Sequence, residues 1–203
     1  MASHGVLAQQ GHAVAGAQAP SPPSEWVRRF AGLIPVGGKV LDLACGTGRH
    51  SRLLRDSGLE VLAVDRDPAL LQVLAAEGLV TQEVDLESGA QGFYWPFADQ
   101  VFDAIVVTNY LHRPLFPHML ASLAPDGLLI YETFAIGNAA YGRPANPDFL
   151  LADAELLLQM QSNPAVKMHV LAYEHGYVER PKPAVVQRIC ARKAAAGSGN
   201  DRL

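Results

Sequence analysis

The stretch VLDLACGTGRHS, residues 40–51, organises the rest of the chain. A short apolar run reaches a Gly-x-Gly turn, and a segment of helical character follows that turn. Glycines adopt positive φ angles easily and let backbone N–H groups approach a ligand without an intervening side chain. The pattern therefore predicts a buried strand, a ligand-binding turn and a helix, in that order.

The residues around the turn distinguish between kinds of ligand. A dinucleotide-binding fold has a third glycine at Gly-x-Gly-x-x-Gly, where this chain has Ser51. A phosphate loop needs Ser or Thr after Gly38-Lys39, where this chain has Val40. Asp42 lies just before the turn, where a carboxylate repels a pyrophosphate and suits a cationic group. We therefore expect a ligand that carries positive charge and little or no phosphate.

Segments with the patterns of strands and helices alternate on both sides of this stretch. Apolar runs predict strands over residues 39–44, 60–65, 79–85, 101–108 and 128–134. Helices are predicted over residues 47–56, 68–77, 115–123 and 152–160. An earlier helix, capped by Ser24, has an apolar face made of Trp26, Phe30, Leu33 and Ile34.

Two late strands complete the pattern, over residues 166–173 and 185–191. No helix-length segment separates them, so we expect them to pair antiparallel. Alternating strands and helices followed by one closing hairpin predict an α/β fold with a doubly wound, Rossmann-like sheet between helix layers. In such sheets the ligand binds at the carboxyl ends of the strands, which directs the search for a site to the loops found there.

Composition limits the class of protein. The chain has 203 residues, of which 49% are hydrophobic and 18% charged, so it predicts a packed domain and excludes global disorder. A net charge of −4 argues against a nucleic-acid partner, and no apolar run approaches the ~20 residues of a membrane span. Two cysteines, Cys45 and Cys190, fit a reducing compartment. We expect a cytoplasmic protein that makes no use of a membrane.

The two ends of the chain differ in composition from its body. Residues 1–23 are rich in Ala, Gln, Gly and Pro and lack the basic start and continuous apolar stretch of a signal peptide. They predict a flexible N-terminal arm, with an ordered cap over a pocket as the alternative. Residues 194–203 predict a disordered tail, which leaves residues 24–193 as the folded domain.

Two further acids follow neighbouring predicted strands. Asp65 ends the second strand, about 20 residues beyond the turn, where a carboxylate can accept hydrogen bonds from both hydroxyls of a ribose. The alternative role, an N-cap of the next helix, is already filled by Asp67. Asp85 and Leu86 end the third strand, where an acceptor and an apolar wall can hold an adenine ring. Taken alone, Asp85 is an ordinary loop acid. Together, however, Asp42, Asp65 and Asp85 place one acid at the end of each of three consecutive strands.

Five elements, in order, resemble the class I S-adenosylmethionine-dependent methyltransferases. They are VLDLACGTGRHS (40–51), VLAVDRDPALL (61–71), the strand-end Asp85, FDAIVVTNYLH (102–112) and LAPDGLLIYETF (123–134). The resemblance implies a seven-stranded sheet with six parallel strands and one antiparallel strand, and S-adenosyl-L-methionine as the cofactor. Residues 46–68 are also similar to small tellurite-resistance-type methyltransferases, which implies a small, soft nucleophile as the methyl acceptor.

The resemblance also implies roles for individual residues. The amino-acid end of the cofactor goes to Asp42 and the turn, the ribose to Asp65, and the adenine to Asp85 and Leu86. Asn109 and Tyr110 take the side of the cofactor that faces the substrate. The residues assigned to the cofactor are Asp42, Ala44, Cys45, Gly46, Gly48, Asp65, Arg66, Asp85, Leu86 and Asn109.

The segment after the fourth predicted strand is where this superfamily has its catalytic loop, and Asn109, Tyr110 and His112 are the candidate catalytic residues. The run Asn109-Tyr110-Leu111-His112 departs from the Asn- or Asp-Pro-Pro-aromatic signature of amino-methylating relatives, which argues against a nucleobase or glutamine amine. His112 is a candidate base or, with Arg113, an anion clamp; the alternative is a helix-start residue that packs beside the adenine. A base is required only if the nucleophile carries a proton that must leave.

The linker after the fifth predicted strand is long for a compact α/β connection and mixes Gly and Pro with aromatic, Arg and Asn residues. We expect Tyr141, Arg143 and Asn146 to contribute to a substrate pocket, with a plain tether around the sheet edge as the alternative. His112 and His118 do not share a helical face, so no metal site is expected.

Together these features predict an enzyme, an S-adenosylmethionine-dependent methyltransferase that acts on a small molecule or a soft, thiol- or metalloid-type acceptor as a monomer or homodimer. One alternative is an RNA or protein methyltransferase, against which the acidic balance and the lack of a basic aromatic stripe argue. The other is a module that binds the cofactor without catalysis.

Overall fold

The computed structural model describes residues 21–195, so the predicted arm, apart from residues 21–23, and the tail, apart from residues 194 and 195, lie outside the described residues. The strands are β1 (Lys39–Leu43), β2 (Glu60–Asp65), β3 (Val80–Glu83), β4 (Phe102–Thr108), β5 (Leu123–Phe134), β6 (Met168–Val178) and β7 (Ala184–Lys193). The α-helices are α1 (Glu25–Ala31), α2 (Arg49–Asp56), α3 (Pro68–Ala76), α4 (Phe116–Ser122) and α5 (Glu155–Gln159). Short 3₁₀ turns cover Arg113–Leu115, Asn138–Ala140 and Pro147–Phe149.

All seven strands form one sheet in the order β3-β2-β1-β4-β5-β7-β6. Strands β1 to β5 pair in parallel, and β7 is antiparallel to both of its neighbours, β5 and β6. Six strands therefore run in one direction and β7 in the other, which confirms the predicted Rossmann-like fold and its closing hairpin. Strands β1, β2 and β3 follow one another toward one edge of the sheet, and β4 then lies on the other side of β1. The carboxyl ends of β1 and β4 consequently border the crevice where such sheets bind ligands.

Two apolar clusters fill the space on the two faces of the sheet. Alternate residues of the central strands divide between them: Val40 and Val106 pack with α1, α2 and α3, whereas Leu41 and Ile105 pack with α4 and α5. These four side chains are completely buried. A parallel strand covered by helices on both faces has to be apolar on both sides, which is why β1 and β4 are nearly continuous apolar runs.

Helix α1 begins where the sequence predicts. The Ser24 hydroxyl accepts a hydrogen bond from the Trp26 N–H, and the indole N–H of Trp26 donates to the Ile189 carbonyl of β7. The helix ends at Ala31, before it reaches Leu33, whose residue surface is 46% exposed. The expected place of Leu33 on the apolar face is therefore wrong, whereas Ile34, which also lies beyond the end of the helix, is buried in the core.

Two connections depart from simple strand-helix alternation. No helix lies between β3 and β4; instead the aromatic residues Phe93, Trp95 and Phe97 cover the core there, and the Trp95 indole donates to the Ser122 hydroxyl. Helix α5 is shorter than the predicted 152–160 because the chain first turns at Ala154, whose φ is +56°. Within residues 21–195, no helix has both the length and the apolar character needed to cross a bilayer.

Candidate active site

The turn between β1 and α2 uses left-handed backbone conformations, with φ of +56° at Gly46 and +74° at Gly48. A Cβ atom added to Gly48 would lie 2.3 Å from Cδ2 of Leu74 on α3, whereas one added to Gly46 would meet nothing within 4 Å. Gly48 is therefore required for close packing of the turn on α3. Gly46 faces open space, so this is the side from which a ligand can approach the turn.

Asp42 is buried just before the turn, with 1% of its surface exposed. The Ser51 hydroxyl of α2 donates a hydrogen bond to one carboxylate oxygen, so the residue found in place of a third glycine holds this acid. Burial raises the pKa of the Asp42 carboxyl to about 6, against the hydrogen bonds from Ser51, which lower it. A cationic group bound at the turn would favour the ionised form.

The Asp65 carboxylate is oriented by the backbone at the end of β2. Its Oδ2 accepts a hydrogen bond from the Gly46 N–H at 2.7 Å, and its Oδ1 accepts one from the Asp67 N–H at 3.0 Å. A carboxylate offers roughly four acceptor positions, so both oxygens retain capacity for the hydroxyls of a ligand. Asp67 accepts from the Ala69 N–H as the N-cap of α3, which confirms that Asp65 does not have that role.

A cavity of about 190 Å³ lies where β1, β2, β3 and β4 end, and it contains residues predicted from all four segments. Its polar edge is formed by acids and its wall by apolar and aromatic side chains. The lining residues are Ala44, Asp65, Arg66, Val84, Asp85, Leu86, Glu87 and Tyr110. Val84 and Glu87 were missed by the sequence analysis, although their positions beside the Asp85-Leu86 pair could have indicated them.

Tyr110 forms part of this cavity as a wall. Burial and the nearby Glu87 carboxylate raise the pKa of the Tyr110 phenol, which therefore stays protonated. The Tyr110 carbonyl accepts a hydrogen bond from the buried Tyr131 hydroxyl at 2.7 Å, which holds the segment after β4 against β5. Tyr110 can donate a hydrogen bond but is unsuited to remove a proton.

Asn109, the residue before Tyr110, lines two larger cavities. Its φ is +56°, a conformation that asparagine tolerates better than most residues, and its N–H donates to the Glu132 carbonyl of β5. Asn109 lines a cavity of about 590 Å³ beside the linker after β5 and another of about 630 Å³ beside the β6–β7 hairpin. Because the first contains Arg143 and Asn146, which the sequence predicts for the acceptor, we call these two spaces the acceptor cavities.

The residues predicted for the acceptor divide into two groups. Arg143 and Asn146 line the first acceptor cavity together with Asn109. Tyr141 does not belong to this group, because it is exposed and its ring packs on that of Tyr177 with centroids 5.0 Å apart. His112 lines neither acceptor cavity; its Nε2 lies 2.9 Å from the Gly92 carbonyl, so the ring faces the loop between β3 and β4.

Arg113 does not form an anion clamp with His112, and this expectation is wrong. Its guanidinium binds both carboxylate oxygens of Glu155, at 2.6 and 3.0 Å. It also donates to the carbonyls of Asp148 and Leu150. With its donors committed in this way, Arg113 ties the linker after β5 to the segment after β4.

A buried polar group connects the start of α1 to the end of β4, and the sequence analysis missed it. The His50 ring accepts a hydrogen bond from the Ser24 N–H at Nε2, which assigns the ring proton to Nδ1, 3.3 Å from the Thr108 hydroxyl. Burial lowers the pKa of His50 to about 3, so the ring is neutral at physiological pH. Nearby, the carboxylate of Glu132 and the guanidinium of Arg188 lie 2.6 Å apart, and both side chains are largely buried.

The Cys45 side chain is directed into the apolar cluster beneath α1, α2 and α3. Its N–H donates to the Val64 carbonyl of β2 and its carbonyl accepts from the Gly48 N–H, so its backbone groups shape the turn. Burial raises the pKa of the thiol well above its ordinary value. Cys45 therefore contributes packing and turn geometry rather than a nucleophile.

A protein family described as a methyltransferase domain matches residues 15–178 of this chain. The chain is 28% identical to the methyltransferase YqeM of Bacillus subtilis over 149 residues, which cover 66% of this chain and 57% of that protein. It is 31% identical to a demethylmenaquinone methyltransferase of Paenarthrobacter aurescens over 137 residues, 64% of this chain and 53% of that protein. The chain thus spans little more than half the length of these two relatives.

Among solved structures, the fold is similar to that of TehB from Haemophilus influenzae, with a TM-score of 0.64 and 22% sequence identity. The similarity covers 82% of this chain and 61% of that chain. At this level of identity the likeness concerns the fold alone.

Proposed function

The chain belongs to the methyltransferase-domain family, among the class I S-adenosylmethionine-dependent methyltransferases, and we propose that it methylates a small molecule through a soft, thiol- or metalloid-type nucleophile. Its cofactor is S-adenosyl-L-methionine. When bound, this cofactor supplies a methyl group on a positively charged sulfur, which is already an activated leaving group. The protein therefore has to bind the two reactants and align them, so its main contribution to the rate is proximity and orientation.

The residues around the 190 Å³ cavity fit this cofactor. Asp65 retains acceptor capacity for ribose hydroxyls, and Leu86 supplies an apolar wall for adenine beside the Asp85 carboxylate. The open space in front of Gly46 leaves room for the part of the cofactor that crosses the turn. The amino-acid end, with its ammonium group, suits the buried carboxyl of Asp42, whose raised pKa a cation would lower.

The position of Asn109 is the observation that carries the proposal. Asn109 borders both acceptor cavities, while the next residue, Tyr110, borders the cavity of Asp65 and Asp85. A ligand at the strand ends and a second ligand in the acceptor cavities would therefore meet at these two residues. Their backbone is held by hydrogen bonds to β5, one from the Asn109 N–H and one to the Tyr110 carbonyl, which suits a positioning role.

The titratable groups near Asn109 favour a nucleophile that needs little help from a base. Among the described residues, Glu132 is paired with Arg188, the raised pKa of Tyr110 keeps its phenol protonated, and the His112 ring faces Gly92. A thiol ionises near pH 8.5 and loses its proton readily, so it requires less general-base assistance than an alcohol. Relatives named for demethylmenaquinone support a small molecule as the acceptor class.

The first test is calorimetric titration of the purified chain with S-adenosylmethionine and with S-adenosylhomocysteine. We expect both to bind, and Asp65→Ala to weaken binding by about 2–4 kcal/mol because two charge-assisted hydrogen bonds are lost. Asp67→Ser is the matched control, since it removes a neighbouring charge and keeps a hydroxyl that can cap α3. An affinity that Asp65→Ala leaves unchanged would contradict the ribose assignment.

The second test measures S-adenosylhomocysteine formation with small thiols as acceptors. We expect turnover with thiols and a loss of turnover in Asn109→Ala without a matching loss of cofactor affinity. Cofactor binding without transfer to any small acceptor would contradict the small-molecule acceptor and favour a binding module or an RNA or protein methyltransferase, and absence of cofactor binding would overturn the proposal altogether.

A further inference from the structure

The two acceptor cavities adjoin each other, since both are lined by Asn109, Phe134 and Lys182. The linker after β5 closes the first cavity and contributes Arg143. The β6–β7 hairpin closes the second and contributes Arg180 beside Lys182. Side chains from two separate loops therefore surround one acceptor region at the end of β5.

The walls of this region carry an excess of positive charge. Two carboxylates line them, Glu25 and Glu132, whereas the cationic side chains are Arg49, Arg143, Arg180, Lys182 and Arg188. This contrasts with the chain as a whole, whose net charge is −4. A concave surface lined by one sign of charge concentrates the electrostatic potential and attracts ligands of the opposite sign.

Some of these charges already have partners. Arg188 and Glu132 form a pair at 2.6 Å, and the exposed Glu25 lies 3.9 Å from Arg28 of its own helix. Arg49 donates to the Pro22 carbonyl and directly follows the glycine turn, so we assign it to the cofactor's end of the region.

Three cations remain without a carboxylate. Within residues 21–195, neither Arg143, Arg180 nor Lys182 has an acidic group at ion-pair distance. All three side chains are exposed to solvent, and their like charges around one concave surface attract an anion. The unpaired charges lie on both loops that close the region.

The same region has an apolar wall. The half-buried ring of Phe134 lies beneath the ammonium group of Lys182, 5.7 Å from its centroid, and Val178 and Val186 continue the apolar surface. A cation above an aromatic face is held in place while its remaining donors stay available. Such a wall suits the carbon skeleton of a ligand whose charged end reaches the cations.

From this arrangement we infer that the methyl acceptor is an organic anion, whose carboxylate or phosphate is bound by Arg143, Arg180 and Lys182 while its apolar part contacts Phe134. The inference rests on the proposed function, which it makes more specific. It also distinguishes an anionic acceptor from an uncharged one, because a neutral molecule would gain nothing from the three cations around the cavity.

The test uses the full chain saturated with S-adenosylhomocysteine and two pairs of probes, 3-phenylpropionate with 3-phenylpropionamide and phenyl phosphate with phenol. In at least one pair, we expect the anion to bind about tenfold more tightly than its neutral partner, since each charge-assisted hydrogen bond roughly doubles the strength of a neutral one. The pair that shows the preference distinguishes a carboxylate from a phosphate as the natural group.

Two variants locate the effect. We expect Lys182→Gln and Arg143→Gln each to reduce the tenfold preference about twofold, as loss of one of three charge-assisted contacts would do. Lys39→Gln is the matched control, because this exposed lysine begins β1 at the opposite end of the strand. Thermal melting of each variant shows whether the fold is retained.

The outcomes separate the two proposals. If S-adenosylhomocysteine does not bind, the proposed function fails first. If it binds and neither probe pair prefers the anion, the inference of an anionic acceptor is overturned while the cofactor site stands. A preference that both variants leave unchanged would also overturn it, since the anion would then bind elsewhere.

Discussion

The two glycines of the turn between β1 and α2 offer a paired test of the structure, because the same substitution meets different surroundings at each. Alanine at either position places an L-residue in a left-handed conformation, at φ +56° for Gly46 and +74° for Gly48. At Gly48 the new Cβ would also lie 2.3 and 2.7 Å from the two Cδ atoms of Leu74, which is buried in the core. At Gly46 it would meet no protein atom within 4 Å.

The expected losses of stability follow from these contacts. The left-handed conformation costs an alanine about 1–2 kcal/mol, which is the whole effect expected for Gly46→Ala. Gly48→Ala adds an overpacking cost of about 1–3 kcal/mol, because Leu74 has to leave its position in a filled core. The total for Gly48→Ala is therefore about 2–5 kcal/mol, and the difference between the two variants measures the contact with Leu74.

Equilibrium unfolding in urea measures both losses, and titration with S-adenosylhomocysteine measures the effect on the site. Gly46→Ala should weaken cofactor binding although it destabilises the fold less, since its methyl group enters the space open to a ligand. In the double variant Gly48→Ala/Leu74→Ala the clash is absent, so its destabilisation should be smaller than the sum of the two single changes. Equal losses for the two glycines, or strict additivity in the double variant, would refute this account of the turn.

Two further predictions concern buried polar groups. Burial lowers the pKa of His50 from 6.5 to about 3, so as the pH falls the unfolded chain binds a proton on His50 before the folded chain does. The stability that neutral His50 contributes is complete above pH 6.5 and is lost as the pH falls toward 3. We expect the free energy of unfolding to decrease by about 2 kcal/mol between pH 7 and pH 5. The measurement is urea unfolding as a function of pH, with His50→Asn as the reference protein. The raised pKa of Asp42 increases stability as the pH falls, but it does so in both proteins, so subtracting the two profiles leaves the contribution of His50. Identical profiles would contradict this prediction. Arg113→Ala removes the bidentate pair with Glu155, and we expect a loss of about 1–3 kcal/mol and faster proteolysis within residues 141–154. Arg55→Ala is the control: it breaks an exposed pair with Asp56 and should cost less than about 1 kcal/mol. Equal rates of proteolysis in the two variants would show that Arg113 does not hold the linker after β5 in place.

The core of the fold was predictable because its signals are local. The run 40–51 contains its own strand, turn and helix start, and the structure has β1, the Gly46–Gly48 turn and α2 in that order. The doubly apolar pattern of β4 also needed no long-range information, since only a strand covered on both faces has it. The late hairpin followed from the lack of a helix-length segment between its strands.

The acceptor side was predicted less completely. Arg143 and Asn146 line the first acceptor cavity as expected, yet Tyr141, from the same linker, packs on Tyr177 outside it. Arg180 and Lys182 were overlooked because they belong to a hairpin more than thirty residues further along the chain. Whether a loop residue points into a cavity depends on which other loop it meets, and the order of residues in one loop does not contain that information.

The sequence by itself determined the succession of strands and helices, the glycine turn and the acids at the strand ends, because turn conformations and burial patterns act over a few neighbouring residues. Only the tertiary structure decided that Ser51 holds Asp42, that His50 joins Ser24 to Thr108, and that Arg113 is bound to Glu155 rather than to a ligand. These contacts depend on how helices and loops pack across the sheet. Hydrogen-bonding capacity belongs to each residue alone, but the partner that satisfies it is set by the folded chain.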